Sequence, residues 1–196
     1  RDGRFRRLDV RVTRPGLQVR ARRGYVAPRG RVPTAKPAVT AADGGTTSPA
    51  ATAALSSPIP VAGIPLTLFA AAYKGTPPNA SVALALEMRV EGLGFEERNG
   101  TFNNRIEVVF SSVDEAGTIR PGSRHVVTLE LKPETLAMTR QRGLRLLSEM
   151  TLPPGRYQLR AAAADQGGNR SGSVLYDLEV PDFRKPGLSM SGVSLT

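Results

Sequence analysis

The sequence predicts an all-β fold, an antiparallel β-sandwich of about seven strands. Three observations predict it. Between residues 58 and 181 apolar and polar residues alternate with a period of two, in one run after another. Clusters of Gly, Pro, Asn and Asp separate the runs. Only Pro133 to Gln141 reads as helix, of one or two turns.

Taken in order, Ile64 to Tyr73 is the first strand, with Pro65 marking a sheet edge because it has no N–H to give a ladder. Ser81 to Glu91 is the clearest: Val82, Leu84, Leu86, Met88 and Val90 face one way, and Glu87, Arg89 and Glu91 the other. Asn104 to Val113 follows, with Ile106, Val108 and Phe110 inward, then Arg124 to Lys132 through Val127, Leu129 and Leu131. Leu144 to Leu152 suits a strand or a short helix. Arg156 to Ala164 alternates through Tyr157, Leu159, Ala161 and Ala163, and Ser173 to Val180 closes the set through Val174, Tyr176 and Leu178. Residues 182–196 are expected to form a C-terminal tail.

Composition sets bounds on chemistry. Forty per cent of the 196 residues are hydrophobic, enough for an ordinary core. The absence of Cys excludes disulfides, a thiolate nucleophile and Cys-ligated metal centres. His125 is the single histidine, and no run of 18 apolar residues predicts a transmembrane helix.

The net charge of +10 is unevenly placed. Residues 1–37 hold twelve Arg or Lys against two Asp, whereas residues 38–196 hold fifteen of each sign. Of the basic residues 23 are Arg and 4 are Lys, a bias that suits bidentate phosphate binding or a GC-rich genome.

Residues 1–28 read as a β-hairpin. Leu8, Val10 and Val12 alternate before the turn Arg14-Pro15-Gly16-Leu17, and Leu17, Val19 and Ala21 after it. A lone hairpin is marginal in water, so its apolar face is expected to pack on a neighbouring domain. Residues 29–57 read as a disordered linker: 22 of the 29 are Ala, Thr, Pro, Gly or Ser, with few large apolar groups to offset the entropy of ordering. Beginning inside a strand-like pattern, the chain is expected to be a piece of a longer protein.

Two motifs carry a resemblance within 58–181. Leu152-Pro153-Pro154-Gly155-Arg156-Tyr157 resembles the turn into the sixth strand of Ig-like and fibronectin type III-like domains, where the Tyr bonds back to upstream backbone. Ala164-Asp165-Gln166-Gly167-Gly168-Asn169-Arg170-Ser171 resembles the last hairpin of bacterial Ig-like repeats, with Asp165 and Asn169 closing the turn. Both imply an Ig-like/fibronectin type III-like sandwich. Asp2-Gly3-Arg4-Phe5-Arg6-Arg7, Val10-Arg11-Val12, Arg14-Pro15-Gly16-Leu17 and Val19 to Tyr25 resemble the C-terminal edge of von Willebrand factor A (VWFA)-related domain proteins of soil bacteria. That resemblance implies an exported, interaction-related parent with an upstream A-like domain. The Asp-x-Ser-x-Ser loop of its metal-dependent adhesion site is absent, so no metal and no cofactor is expected.

The candidate sites are surfaces. The loop Gly92 to Asn104 sets Phe95 and Phe102 beside Glu96, Glu97 and Arg98, a pattern suited to recognising a protein or cell-surface ligand; the competing reading folds both rings into the core. Arg4, Arg6, Arg7, Arg11, Arg20, Arg22 and Arg23 could grip a polyanion, although no nucleic-acid motif accompanies them. Tyr157, Asp165 and Asn169 are expected to be structural. His125 would need a nearby Ser and a carboxylate to act as a base; with no Gly-x-Ser-x-Gly elbow it reads as an edge histidine. Asp114 and Glu115 read as turn residues, and the sequons at Asn79, Asn99 and Asn169 carry no weight in a bacterial protein. The expectation is therefore a non-catalytic structural or interaction module of an exported multidomain protein. Envelope adhesion through the Arg hairpin and an accessory sandwich of a hydrolase are the alternatives.

Overall fold

The computed structural model describes residues 5–7, 24–26, 46–167, 169–185 and 191. The chain divides into two compact units, Arg1–Pro37 and Ala38–Thr196. In the first, β1 (Phe5–Arg7) pairs antiparallel with β2 (Gly24–Val26), placing Arg6 opposite Tyr25 and Arg7 opposite Gly24. The turn expected at Arg14 to Leu17 lies outside the described residues.

The second unit contains α1 (Pro49–Ser56), β3 (Leu66–Lys74), β4 (Ala80–Met88), β5 (Glu96–Arg98), β6 (Thr101–Asp114), β7 (Ile119–Leu131), α2 (Pro133–Arg142), β8 (Leu144–Leu152), β9 (Gly155–Asp165) and β10 (Ser171–Val180). It is an all-β antiparallel sandwich. One sheet runs β3-β4-β8, and the other runs β10-β9-β6-β7. Short β5 adds to the first residues of β6. The core lies between the sheets, where Val82, Leu84, Leu86 and Met88 of β4 meet Ile106, Val108 and Phe110 of β6 and Leu159, Ala161 and Ala163 of β9. The period-two alternation put these residues inward, and it also settles β8 as a strand, since Met150 and Leu152 are buried while Leu147 and Glu149 are exposed.

Tyr157 closes one corner. Its ring is in the core and its hydroxyl donates to the Pro153 carbonyl (3.0 Å), so the polar tip of a buried ring is satisfied. Burial pushes its hydroxyl pKa up. On the opposite side the chain entering β3 runs along β10: Ile64 N–H donates to Ser171 O (3.1 Å), and Val61 N–H to Ser173 Oγ (3.0 Å). Only glycine fits at 172 there, because a Cβ would lie 2.0 Å from Ile64 O.

Residues 46–57 depart from the expected disordered linker; residues 29–45 lie outside the described ones. They are structured because α1 covers the outer face of the β9–β6 sheet. Ala51, Ala54 and Leu55 pack on Val109, Ala162 and Ala164 to form a second apolar cluster. Ser48 caps the helix by accepting the Ala51 N–H (3.3 Å), with Pro49 in the first turn. Beneath the cap is Glu107, whose side chain has no exposed area. Its two oxygens accept the Ser48 N–H (3.2 and 3.1 Å), and one accepts Arg124 Nε (2.6 Å). At the other end Arg160 donates to Leu55 O (3.2 Å). A carboxylate at the N-terminus and a guanidinium at the C-terminus both complement the helix dipole. Ala loses no side-chain entropy on ordering, so these contacts suffice to hold an Ala-rich segment.

The expected tail also begins inside the fold: Phe183 packs against the core, and Lys185 N–H donates to Asp182 O (3.2 Å).

Glu107→Ala would remove the acceptor of Arg124 Nε and of the Ser48 amide, so it is expected to lower unfolding stability by about 3 kcal/mol. Deleting the exposed Arg89–Glu91 pair is expected to leave it nearly unchanged. Urea denaturation of both variants measures the difference, and amide exchange over residues 49–56 reports whether α1 has come away.

Candidate functional site

The loop between β4 and β6 occupies one pole of the sandwich, and it is built from the base upward. Gly94 is held by its peptide groups from two sides. Its N–H donates to Asp165 Oδ2 (3.0 Å), and its carbonyl accepts Asn104 Nδ2 (2.9 Å). Asp165 is buried at the end of β9, and its second oxygen accepts the Gly167 N–H (2.9 Å). Gly167 lies so close that a Cβ would meet Gly94 O at 2.6 Å. Gln166 N–H donates to Arg105 O (3.0 Å), tying the β9–β10 turn to β6. Asp165 thus joins the two loops of this pole. Asn169 has φ 50°, the left-handed conformation that Asn tolerates in turns.

From this clamp β5 and the start of β6 project as a hairpin with Asn99-Gly100 at its tip. Their φ values of 51° and 77° suit the tight turn that matches strand twist. The Asn-Gly dipeptide is the sequence signal for this hairpin, which lies within the Gly92 to Asn104 loop. Glu96, Glu97, Arg98 and Asn99 are all exposed. Arg98 pairs with Glu96 (2.7 Å), and its carbonyl accepts the Thr101 hydroxyl (2.9 Å). Phe95 is half-buried and packs against the core; Phe102 is half-buried and lies opposite Glu97 and Leu131. The structure therefore separates an outer charged edge of Glu96, Glu97 and Arg98 from Phe95, which packs on the core, and a half-buried Phe102.

His125 has neighbours that its position in the chain does not reveal. On β7 it faces the gap between the sheets, where its Nε2 lies 2.9 Å from Ser148 Oγ of β8, and Ser148 lies 2.8 Å from Ser123 Oγ. Its ring meets Phe110 edge-on at 6.1 Å between centroids. Among the described residues no carboxylate bonds to it, so the trio links the two sheets at their β7/β8 edge. Asp114 accepts the Thr118 N–H (2.8 Å) and lies 3.6 Å from Arg120, as a turn residue does; Glu115 is exposed. Among the described residues no cluster of three or more His, Asp or Glu could hold a metal ion, and no helix is long and apolar enough to cross a membrane.

Of the seven arginines read as polyanion contacts, Arg6 and Arg7 are in β1; Arg4, Arg11, Arg20, Arg22 and Arg23 lie outside the described residues.

Comparison with known proteins adds little. No family model matches the chain, and no curated protein does. Among solved structures, a candidate beta-galactosidase from Bacteroides fragilis aligns at a TM-score of 0.40 and 13% identity over 58% of this chain. The chain spans only 16% of that protein. A candidate ApaA protein from Bordetella pertussis aligns at 0.40 and 10%, covering 60% of this chain and 94% of that one. The structural-genomics target SoR45 aligns at 0.37 and 9%, covering 69% and 97%. Likenesses this distant carry no functional argument.

Two outcomes are expected from the polar contacts described. Asp165→Ala removes a buried carboxylate that accepts the Gly94 and Gly167 amides, so stability is expected to fall by about 2 kcal/mol, with the largest NMR shift changes at Gly94 and Gly167. Asp182 is held down to about 2, from the ordinary 3.8, by the Arg184 side chain and its backbone N–H. The ionised form is favoured in the fold, so this contribution is complete above pH 3.8 and lost as pH falls through about 2. A carboxyl-carbon titration with a midpoint near 4 would show the pair does not form.

Proposed function

We propose that the chain is a non-catalytic structural and interaction module of an exported bacterial multidomain protein, in which an Ig-like/fibronectin type III-like sandwich presents the β5–β6 hairpin to a protein or cell-surface ligand. The observation that carries this reading is the clamp at the pole. Buried Asp165 and Asn104 fix the Gly94 peptide, so the exposed edge of Glu96, Glu97 and Arg98 stands on a base ordered before any ligand arrives. Preorganisation of this kind reduces the entropy lost on binding, which is what a recognition loop needs. The order of three strands against four, together with the Tyr157 bond to Pro153, supports the Ig-like/fibronectin type III-like description. The VWFA-like reading of residues 1–28 supplies the upstream neighbour and the exported setting.

A second reading, adhesion to a polyanion, is favoured by the concentration of the net charge in residues 1–37. The two differ in salt dependence, because exposed charges are screened within about 10 Å at 0.1 M salt. Retention on heparin and on purified cell envelope, measured across a salt gradient for the full chain and for a chain lacking residues 1–37, separates them. The interaction reading expects the shortened chain to stay on envelope in high salt, and Glu97→Ala with Arg98→Ala to weaken retention about tenfold, about 1.4 kcal/mol. Binding that requires residues 1–37 and vanishes at moderate salt overturns it in favour of the polyanion reading. No retention of either chain leaves a spacer and overturns both.

A further inference from the structure

The two outer faces of the sandwich are treated differently. That of the β9–β6 sheet is covered by α1, whereas that of β3-β4-β8 has no element over it among the described residues. Across the bare face the register sets Phe69 beside Ala85 and Ala85 beside Leu147, one row perpendicular to the strands. Phe69 is 43% exposed and Leu147 70%, with a small residue between them. The neighbouring row on one side carries Glu87 paired to Arg145 (2.6 Å), and the neighbouring row on the other carries Glu149.

We infer that this face is the contact between two copies of the chain, packed sheet on sheet about a twofold axis along the Phe69–Ala85–Leu147 row. That operation reverses the strand direction and leaves the row facing itself. Phe69 then meets its own copy, and so does Leu147. The Arg145 row of one copy faces the Glu149 row of the other, twice, so the charges that flank the apolar row are self-complementary. Rotation about an axis along the strands would set Arg145 against Thr67 and Glu149, which accepts the Ser81 hydroxyl, against Ala71. Glu87 of the central strand stays paired to Arg145.

Size sets the strength. Three strands of nine residues cover roughly 430 Å² per copy at about 4.8 Å by 3.3 Å per residue. The total of roughly 900 Å² is below the 1,200 Å² or so of a standard stable interface, so the association is weak and transient. A dissociation constant on the order of 100 µM corresponds to about −5.5 kcal/mol.

Sedimentation of the full chain from about 10 µM to about 1 mM tests this. The expected result is a monomer–dimer equilibrium that Leu147→Glu shifts at least tenfold toward monomer, with an unchanged melting temperature because the residue is exposed. Arg145→Glu is expected to weaken the dimer, and adding Glu149→Arg to restore it. The chain has no cysteine, so Leu147→Cys provides a unique thiol that a bis-maleimide about 10 Å long should cross-link to its own copy, much faster than Ile119→Cys, which is exposed elsewhere. A chain that stays monomeric to about 1 mM, a dimer indifferent to Leu147→Glu, or equal cross-linking of the two cysteines overturns the proposal. The first of these outcomes leaves the face to a different protein.

Discussion

Glu107 is a carboxylate with no exposed area on the outer face of a sheet, where an ordinary sandwich strand would meet water. A charge buried that completely persists only with its hydrogen bonds satisfied, and here the partners come from two places. Arg124 reaches it from the neighbouring strand, and the Ser48 amide reaches it from the start of α1. The helix in turn buries Val109, Ala162 and Ala164, which would otherwise form an apolar patch on the surface. Strand β6 is thereby enclosed on both faces, and β5, β7 and β9 are all registered on it. Removing the carboxylate's partners would therefore undo the cover of the central strand, and with it the surroundings of the pole that β6 helps to build.

The charges divide according to what they do. Those under α1 are buried and paired within the fold, so added salt reaches them poorly. Those of Glu96, Glu97 and Arg98, and of Glu87, Arg145 and Glu149, are exposed, pay little for their pairing and are free to exchange partners. The edge proposed for recognition and the sheet face proposed for self-contact both carry this second kind.

Period-two alternation made the core legible: Val82 through Val90, the inward residues of β6 and β9, and the Tyr157 corner were all visible from the spacing of residues and a few turn motifs. What the alternation hid was the second use of β6. Val109 and Glu107 sit at outward positions, and a pattern read one face at a time has no place for a covered outer face. The signal lay elsewhere, in Ser48-Pro49 followed by an Ala-rich run, a capped helix start inside a segment whose composition reads as linker. The site was legible in part. Its residues were contiguous in the sequence, but the packing of Phe95 on the core and the Asn104–Gly94–Asp165 clamp depend on positions brought together only by the fold. The same holds for His125 and Ser148, 23 residues apart.

The docking of α1 also has a temporal side. Ser48 meets Glu107 across 59 residues of chain, and Leu55 meets Arg160 across 105. The platform beneath the helix exists only once β9 has paired with β6, a contact of high loop-closure entropy that forms slowly in all-β domains. An eight-residue helix is marginal on its own in water, so it has no means of waiting in place. Residues 46–57 accordingly have no place to dock until β9 has joined β6, and during synthesis this segment emerges well before the strands it packs on.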